Sequence, residues 1–459
     1  MTEGLPLPRR YLAILAISFG TALIVIDGAI ATVALPTIAR DLAVDNSAAV
    51  LVVTVYQLIF VMTLLPFAHF GDQLGHRRLY QLGQIVFLLA TILCVFARSL
   101  PLLLLARAAQ AIGGAAALSV SQALLRSIYP ARQLGRGLAI NSVIVSSSSA
   151  LAPTLGGLIL TYASWPWIFA ATVPFGLLSL FIGRTLPEPQ PRDEPFDWLG
   201  AILCAATFGL IISGLETGVH GGGKAVAAVV VLAGLVIGYA FIRRELHEPR
   251  PMLPIDLLAS PVLTLSVVGA FTSFLALSGV MLSLPFRLEH LYGFTPGQIG
   301  TIIAALPLAI MVVAPTSGIL SDRIEPSIIG TIGMSIAVGG LLLLAFLPAD
   351  PTANDIRWRL AVCGAGFGMF FSPNARLIIG STPHDRAAAA GGLISTNRLV
   401  GQTSGATLAA ALLAAGLGAG RTPALVAAVL TAIAALCSAA RLRPSLRAAG
   451  ADEGRDLGS

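Results

Sequence analysis

The chain has 459 residues, 56% of them hydrophobic and only 11% charged, with a mean hydropathy of +0.87. Average soluble proteins carry about 25% charge, so the composition excludes a soluble enzyme, a disordered protein and a nucleic-acid binder. The net charge of +6 and the pI near 9.5 are instead explained by where the arginines sit.

A helix that spans a bilayer core of roughly 30 Å needs about 20 apolar residues. About fourteen such runs follow one another, starting near Tyr11, Ala48, Leu79, Leu102, Gly137, Trp167, Trp198, Ala225, Val262, Gln298, Ser327, Leu360, Ala390 and Ala424. A transmembrane barrel would show shorter, alternating segments, so the pattern predicts an all-α polytopic membrane protein. The first run follows Arg9 and Arg10 and is too long for a signal-peptide core, so it is expected to stay as an anchor. Cys94, Cys204, Cys363 and Cys437 lie far apart inside apolar runs. They read as packing residues, with no metal spacing and no disulfide framework.

Placing the N-terminus in the cytoplasm puts 18 Lys and Arg residues on the cytoplasmic side and 7 outside, while Arg107, Arg376 and Arg398 fall within spans. This bias predicts that both termini are cytoplasmic, in the inner cell membrane, and it removes the need for a nucleic-acid partner.

The loop after span two runs from Gly71 to Arg78, and the loop after span ten from Gly318 to Arg323. Asp72 and Asp322 are separated by 250 residues, and so are Arg136 and Arg386, which open spans five and thirteen. Two matching offsets suggest a duplicated unit, with coincidence of chosen landmarks as the alternative. The resulting plan is a six-helix half over 11–184, a linker with two inserted transmembrane helices over 185–260, a second six-helix half over 261–440, and a cytoplasmic tail over 441–459. Two parallel halves would place a cavity at their interface.

Several short motifs lie on this plan. Asp72, Gly75, Arg77 and Arg78, with Asp322 and Arg323 in the second half, form acidic-then-basic turns. Such a turn either latches helices in one conformation or is a plain charged loop. Arg107 and Gln110 lie in span four. An Arg in a span costs at least ~2.5–3.5 kcal/mol, so it faces a partner or water, or else snorkels to the interface. In span five, Pro153 can bend the helix, and Gly156 and Gly157 allow a close backbone approach. Ordinary helix packing is the alternative for all three.

At these residues the chain resembles the major facilitator superfamily, and more closely its fourteen-span drug:proton antiporters. The resemblance covers nearly the whole chain. It rests on Asp27 to Pro36, the loop around Asp72, Arg107 to Gln110, Pro153 to Gly157, Trp165 to Phe169, Asp197 to Gly200, and Arg386 to Arg398. It implies that the Asp72 loop gates the conformational change, that Arg107 takes part in proton coupling, and that Pro153, Gly156 and Gly157 mark an antiporter. The sequence departs from the family pattern at Ala68, Gln73, His76, Ala152 and Pro166.

Asp27 is the only carboxylate well inside an apolar run. At 1.5 Å per residue it lies about 6 Å outward of the midplane, Arg107 about 9 Å, Gln110 about 4–5 Å, and Tyr56 and Gln57 about 3–5 Å. Three helices thus bring polar groups to one depth band. Asn374, Arg376 and Arg398 fall on the cytoplasmic side of the midplane. Burial favours the neutral form of a lone carboxyl and a nearby Arg favours the ionised form, so moving Arg107 would load or release a proton at Asp27. A structural Asp held by hydrogen bonds is the alternative. Glu216, at the outer end of span seven, reads first as an interfacial charge, with a coupling role second. The glycines from Gly364 to Gly368 lack a strand-to-helix context and are packing residues.

The expected function is proton-coupled export of hydrophobic, cationic small molecules (drugs, biocides, dyes) by alternating access. Tyr56, Gln57, Gln110, Asn374, Arg398 and Glu216 are the candidate cavity residues. The alternative is a secondary transporter of one defined metabolite. An enzyme is not expected, because the six His residues are scattered. No cofactor, metal or nucleic acid is expected. The expected partners are a small-molecule substrate, protons and lipid, and the expected state is a monomer.

Overall fold

A computed structural model of the chain describes residues 5–130, 134–188, 196–219, 223–248, 255–382 and 387–442. Arg386, one landmark of the sequence repeat, lies outside them, as does the tail beyond residue 442. Among the described residues the regular structure is helical. The helices are α1 (Leu7–Asp41), α2 (Asn46–Leu74), α3 (His76–Phe96), α4 (Leu100–Ile128), α5 (Leu134–Tyr162), α6 (Pro166–Ala170), α7 (Val173–Ile182), α8 (Trp198–Val219) and α9 (Lys224–Glu245). They continue with α10 (Pro261–Tyr292), α11 (Pro296–Ile303), α12 (Ala305–Leu320), α13 (Pro326–Ala345), α14 (Ala353–Gly380), α15 (Ala387–Ala414) and α16 (Thr422–Ala440).

Twelve of the helical segments are long and apolar enough to cross a membrane, counting α6 with α7 and α11 with α12 as single spans. The helices α5 and α15, of 29 and 28 residues, have span length as well. The fold is therefore that of a polytopic helical membrane protein with two six-helix halves and two inserted helices.

Local chemistry sets the helix ends. Proline in the first turn of α4, α10, α13 and α16 fixes φ where no backbone donor is needed. At the start of α14, Thr352 and Asp355 form a reciprocal capping box. A single residue, Gly75, joins α2 to α3 at φ 95, a conformation open to glycine and strained for other residues.

Packing divides the chain into two units, residues 1–209 with 295–300, and 210–294 with 301–459. In the first, α3 and α4 meet backbone to backbone. A Cβ on Gly113 would lie 2.4 Å from the Phe87 nitrogen and 2.6 Å from the Gly83 oxygen. In the second, α13 and α14 meet in the same way. A Cβ on Gly366 would lie 2.5 Å from both the Ala337 nitrogen and the Gly333 oxygen. Gly83 and Gly333 are 250 residues apart, as are Phe87 and Ala337. The helix-interior prolines Pro36 and Pro66 recur as Pro285 and Pro315. The glycines Gly113 and Gly366 that face them are 253 residues apart, and the two proline pairs 249, so the two contacts are alike in kind with offsets that differ by a few residues.

Within the second unit, α8 and α9 pack on each other where Gly214 faces the Val231 backbone and Gly234 the Ile211 backbone. Much of α9 is exposed, including Val229, Leu232 and Val236, while α8 is mostly part-buried with Leu215 exposed.

Candidate functional site

The first unit holds a fully buried polar cluster. Asp27 comes from α1, and Arg107 and Gln110 come from α4, three residues apart and so on one helix face. All three are 0% exposed. The Arg107 Nη1 donates to the Asp27 Oδ2 at 2.6 Å and to the Gln110 Oε1 at 2.6 Å. The Gln110 Nε2 donates to the other Asp27 oxygen at 2.9 Å and to the Thr91 hydroxyl of α3 at 2.8 Å. The Arg107 Nε donates to the Val52 carbonyl of α2 at 3.2 Å. Four helices are thereby tied to one carboxylate.

Aromatic faces close this cluster. The guanidinium lies 4.1 Å from the Tyr56 ring centroid and 5.6 Å from that of Phe169. A desolvated cation over an aromatic face gains about 2 kcal/mol. Two polar atoms beside the pair are buried without a hydrogen-bond partner, the Arg107 Nη2 and the Tyr56 hydroxyl. The Gln57 Oε1 on the same helix as Tyr56 is also unpartnered. Arg107 is fully buried among these groups, so of the two sequence readings it is the one with a partner that describes its side chain.

Depth arithmetic placed Asp27, Arg107, Gln110 and Tyr56 at one level, and the structure brings these four together. It missed Thr91, the Val52 carbonyl and Phe169. The same arithmetic puts Thr91 about 7 Å outward of the midplane, so a hydroxyl at that level was the available signal.

The gating-loop residues lie at the helix ends. Asp72 sits 3.1 Å from the His76 Nε2, one turn on. Arg77 and Arg78 instead reach Glu188, at 4.0 and 2.8 Å. In the second unit, Asp322 pairs with Arg376 of α14, which also donates to the Ser321 hydroxyl. Arg323 is exposed beside it.

The antiporter-motif residues are packing elements in their immediate geometry. A Cβ on Gly156 would meet Ile30 of α1 at 2.9 Å. One on Gly157 would meet the Pro296 oxygen at 2.8 Å, and one on Gly300 would meet the Pro153 oxygen at 2.5 Å. The helix α5 therefore lies against the start of α11 with no side chain between them.

The remaining candidates belong to the second unit. Asn374 of α14 is buried, with its Nδ2 donating to the Ser266 carbonyl and its Oδ1 accepting from Arg441 at 2.7 Å. Arg441, just beyond α16, is itself buried and also donates to the Ser266 and Ser438 hydroxyls. Sequence reading counted it only as a cytoplasmic charge. Arg398 is partly buried on α15, and its Nε has no acceptor. Glu216 is buried near the end of α8, away from the Asp27 cluster in chain and unit. Among the described residues no group of three or more His, Cys, Asp or Glu is placed to hold a metal ion.

Comparison with known proteins bears on this geometry. Residues 17–406 match the family described as the Major Facilitator Superfamily. The chain is 45% identical over 407 residues to the uncharacterized transporter YebQ of Escherichia coli K12, covering 88% of this chain and 89% of that protein. It is 28% identical to the riboflavin transporter RibZ of Clostridioides difficile 630, covering 85% of each. It is 31% identical to the multidrug resistance protein Stp of Mycobacterium tuberculosis CDC 1551 / Oshkosh, covering 86% of this chain and 74% of that protein.

Proposed function

The chain belongs to the Major Facilitator Superfamily, and on that premise we propose that it exports hydrophobic small molecules across the cytoplasmic membrane in exchange for protons. The observation that carries this reading is the fully buried Asp27–Arg107–Gln110 cluster. A carboxylate in a dry bundle is stable only while its guanidinium stays with it. When a conformational change draws Arg107 away, Asp27 takes a proton. When Arg107 returns, the proton is expelled. The cluster joins α1, α2, α3 and α4, so moving one helix against another disturbs it. An inward proton motive force adds about 2.3 kcal/mol per charge per 100 mV to the cycle. The similarity to Stp supports a drug-exporting role.

On this reading both termini lie in the cytoplasm, and alternating access runs between the two halves. The arginine bias supports this orientation, and a fusion reporter at the C-terminus is expected to read cytoplasm. Asp27 is already charge-matched by Arg107, so a cationic cargo would have to displace Arg107 to use it. A second reading, transport of one defined metabolite, is favoured by the similarity to RibZ.

The test has two parts. Purified protein in detergent should release protons into a pH dye on adding substrate. A drug panel in an efflux-deficient bacterium expressing the chain should show resistance to several unrelated hydrophobic compounds. Uptake of a single polar metabolite with no resistance would favour the second reading. Absence of any proton movement would remove the coupling mechanism.

A further inference from the structure

The arginines within or bordering the spans of the second unit are almost all occupied. Arg287 donates to the Leu344 and Ala345 carbonyls and to the Tyr292 hydroxyl. Arg376 holds Asp322, and Arg441 holds Asn374, Ser266 and Ser438. Arg398 is different. Its Nε is buried without an acceptor, and among the described residues its guanidinium has neither a carboxylate nor a hydrogen-bond partner. It lies 11 residues into the 28-residue α15, near the middle of a span. A cation at that depth costs at least ~2.5–3.5 kcal/mol to insert, and nothing described in the fold offsets that cost.

The surroundings of Arg398 are shaped as well as charged. The helix α15 lies close along α10, where the Asn397 Nδ2 donates to the Val267 carbonyl at 3.0 Å. A Cβ on Gly401 would meet the Phe271 oxygen and the Phe274 Cβ, both at 2.9 Å. Arg398 and Gly401 are three residues apart, hence neighbours on the helix surface about 4.5 Å apart along the axis. Phe274 thus rises from α10 one turn away from the arginine. Its ring stacks on Phe371 of α14, with centroids 4.4 Å apart and planes 7° from parallel. Phe367 extends the stack at 5.8 Å. Phe274 and Phe371 are only partly buried, and so is Arg398. A flat apolar wall thus begins about one turn along the helix surface from an unmatched planar cation.

We propose that Arg398 and the Phe274–Phe371 stack bind an aromatic compound through an acidic group, so that the cargo of this transporter includes aromatic carboxylates or other oxyanions. The inference rests on the export reading and revises the cargo charge expected from sequence. Arg is suited to this task because its planar fork meets two oxygens of a carboxylate at once. The phenyl rings hold the apolar body, with stacked or edge-on contact. The same guanidinium chemistry would also take a phospholipid headgroup, so the test separates the two sources.

The experiment uses the full chain in nanodiscs of phosphatidylcholine. Binding of 2-naphthoate is compared with that of 2-naphthamide, which has the same ring and no charge. The wild type is expected to bind the carboxylate about tenfold more tightly than the amide, as a charge-assisted hydrogen bond gives. Arg398→Gln should lose that preference and leave amide binding unchanged, while Arg398→Lys should keep part of it. Phe274→Leu should weaken both probes together, and it stands in if Arg398→Gln fails to insert. Equal binding of the two probes to the wild type, or an undiminished preference in Arg398→Gln, overturns the proposal. Loss of the wild-type preference when phosphatidylglycerol is added assigns Arg398 to lipid and also overturns it. Asp27→Asn should keep the carboxylate preference while releasing no protons, which separates failure of this inference from failure of the coupling mechanism.

Discussion

The two halves share a packing plan and differ in their polar contents. Gly83 and Gly113 bring α3 and α4 together as Gly333 and Gly366 bring α13 and α14 together. The polar side chains inside these frames follow no such repetition. The first half encloses one acid, matched by one arginine and one amide. In the second half Arg398 lies on the cytoplasmic side of the midplane, and among the described residues no carboxylate pairs with it. These glycines fix the helix spacing, because a side chain there would force backbones apart. On the two proposals made above, proton handling would fall to one half and charge recognition of cargo to the other.

The largest effect that would break this division is at Asp27. Asp27→Asn should abolish substrate-induced proton release and uphill export while the protein still inserts and expresses, since a neutral amide is easier to bury than a carboxylate. Proton release and uphill export that survive in this variant would place the coupling group elsewhere, with Glu216 next to be tested.

Removing the partner gives the next largest effect. Arg107→Ala leaves a buried carboxylate alone and should cost about 3–5 kcal/mol of stability. Adding Asp27→Asn in the same chain should recover most of that loss. Thermal melting of the two single variants and the double variant in detergent measures the coupling. Additive losses would show that the two residues do not act as a pair.

The shared frame can be tested by adding a side chain at matching places. Gly113→Val and Gly366→Val should each destabilise by about 1–3 kcal/mol, because both sites are in contact with backbone of the neighbouring helix. Similar shifts in melting temperature are expected. A large shift at one site with none at the other would contradict the common frame.

The smallest effect concerns the loops. Asp72→Asn should slow turnover more than it weakens substrate binding, as it removes a contact at the ends of α2 and α3 and not in the bundle. Asp322→Asn should act likewise through Arg376. Binding by fluorescence and transport by proton flux, measured on the same preparations, distinguish the two. Weaker binding with unchanged turnover counts against a latch.

Much of this was legible in the amino acids. Apolar runs of span length specify the helices, because an unsatisfied backbone cannot cross lipid. Asp27, Arg107 and Gln110 were found by height along their helices. Height alone does not give rotation about a helix axis, and that is where the reading ran short. Gln57 shares the level of the cluster, yet none of the cluster's hydrogen bonds goes to it, as it lies one residue round the helix from Tyr56. Thr91 and the Val52 carbonyl were missed because a hydroxyl and a backbone oxygen are everywhere in the sequence and mark nothing until a donor points at them. Asn374 looked like a cavity residue from its polarity, while its amide is engaged by Arg441 and Ser266.

Arg441 also bears on how the protein is made. It is the residue immediately after α16, and it fastens α10 through Ser266 and α14 through Asn374. The ribosome delivers it after every other helix of the second half. Until then, the Asn374 Oδ1 waits inside the membrane without the donor it later has. The second half is therefore tied together only once Arg441 has followed α16, and a chain stopped at Ala440 would hold α10 to α16 but lack the residue that joins α16 to α10 and α14.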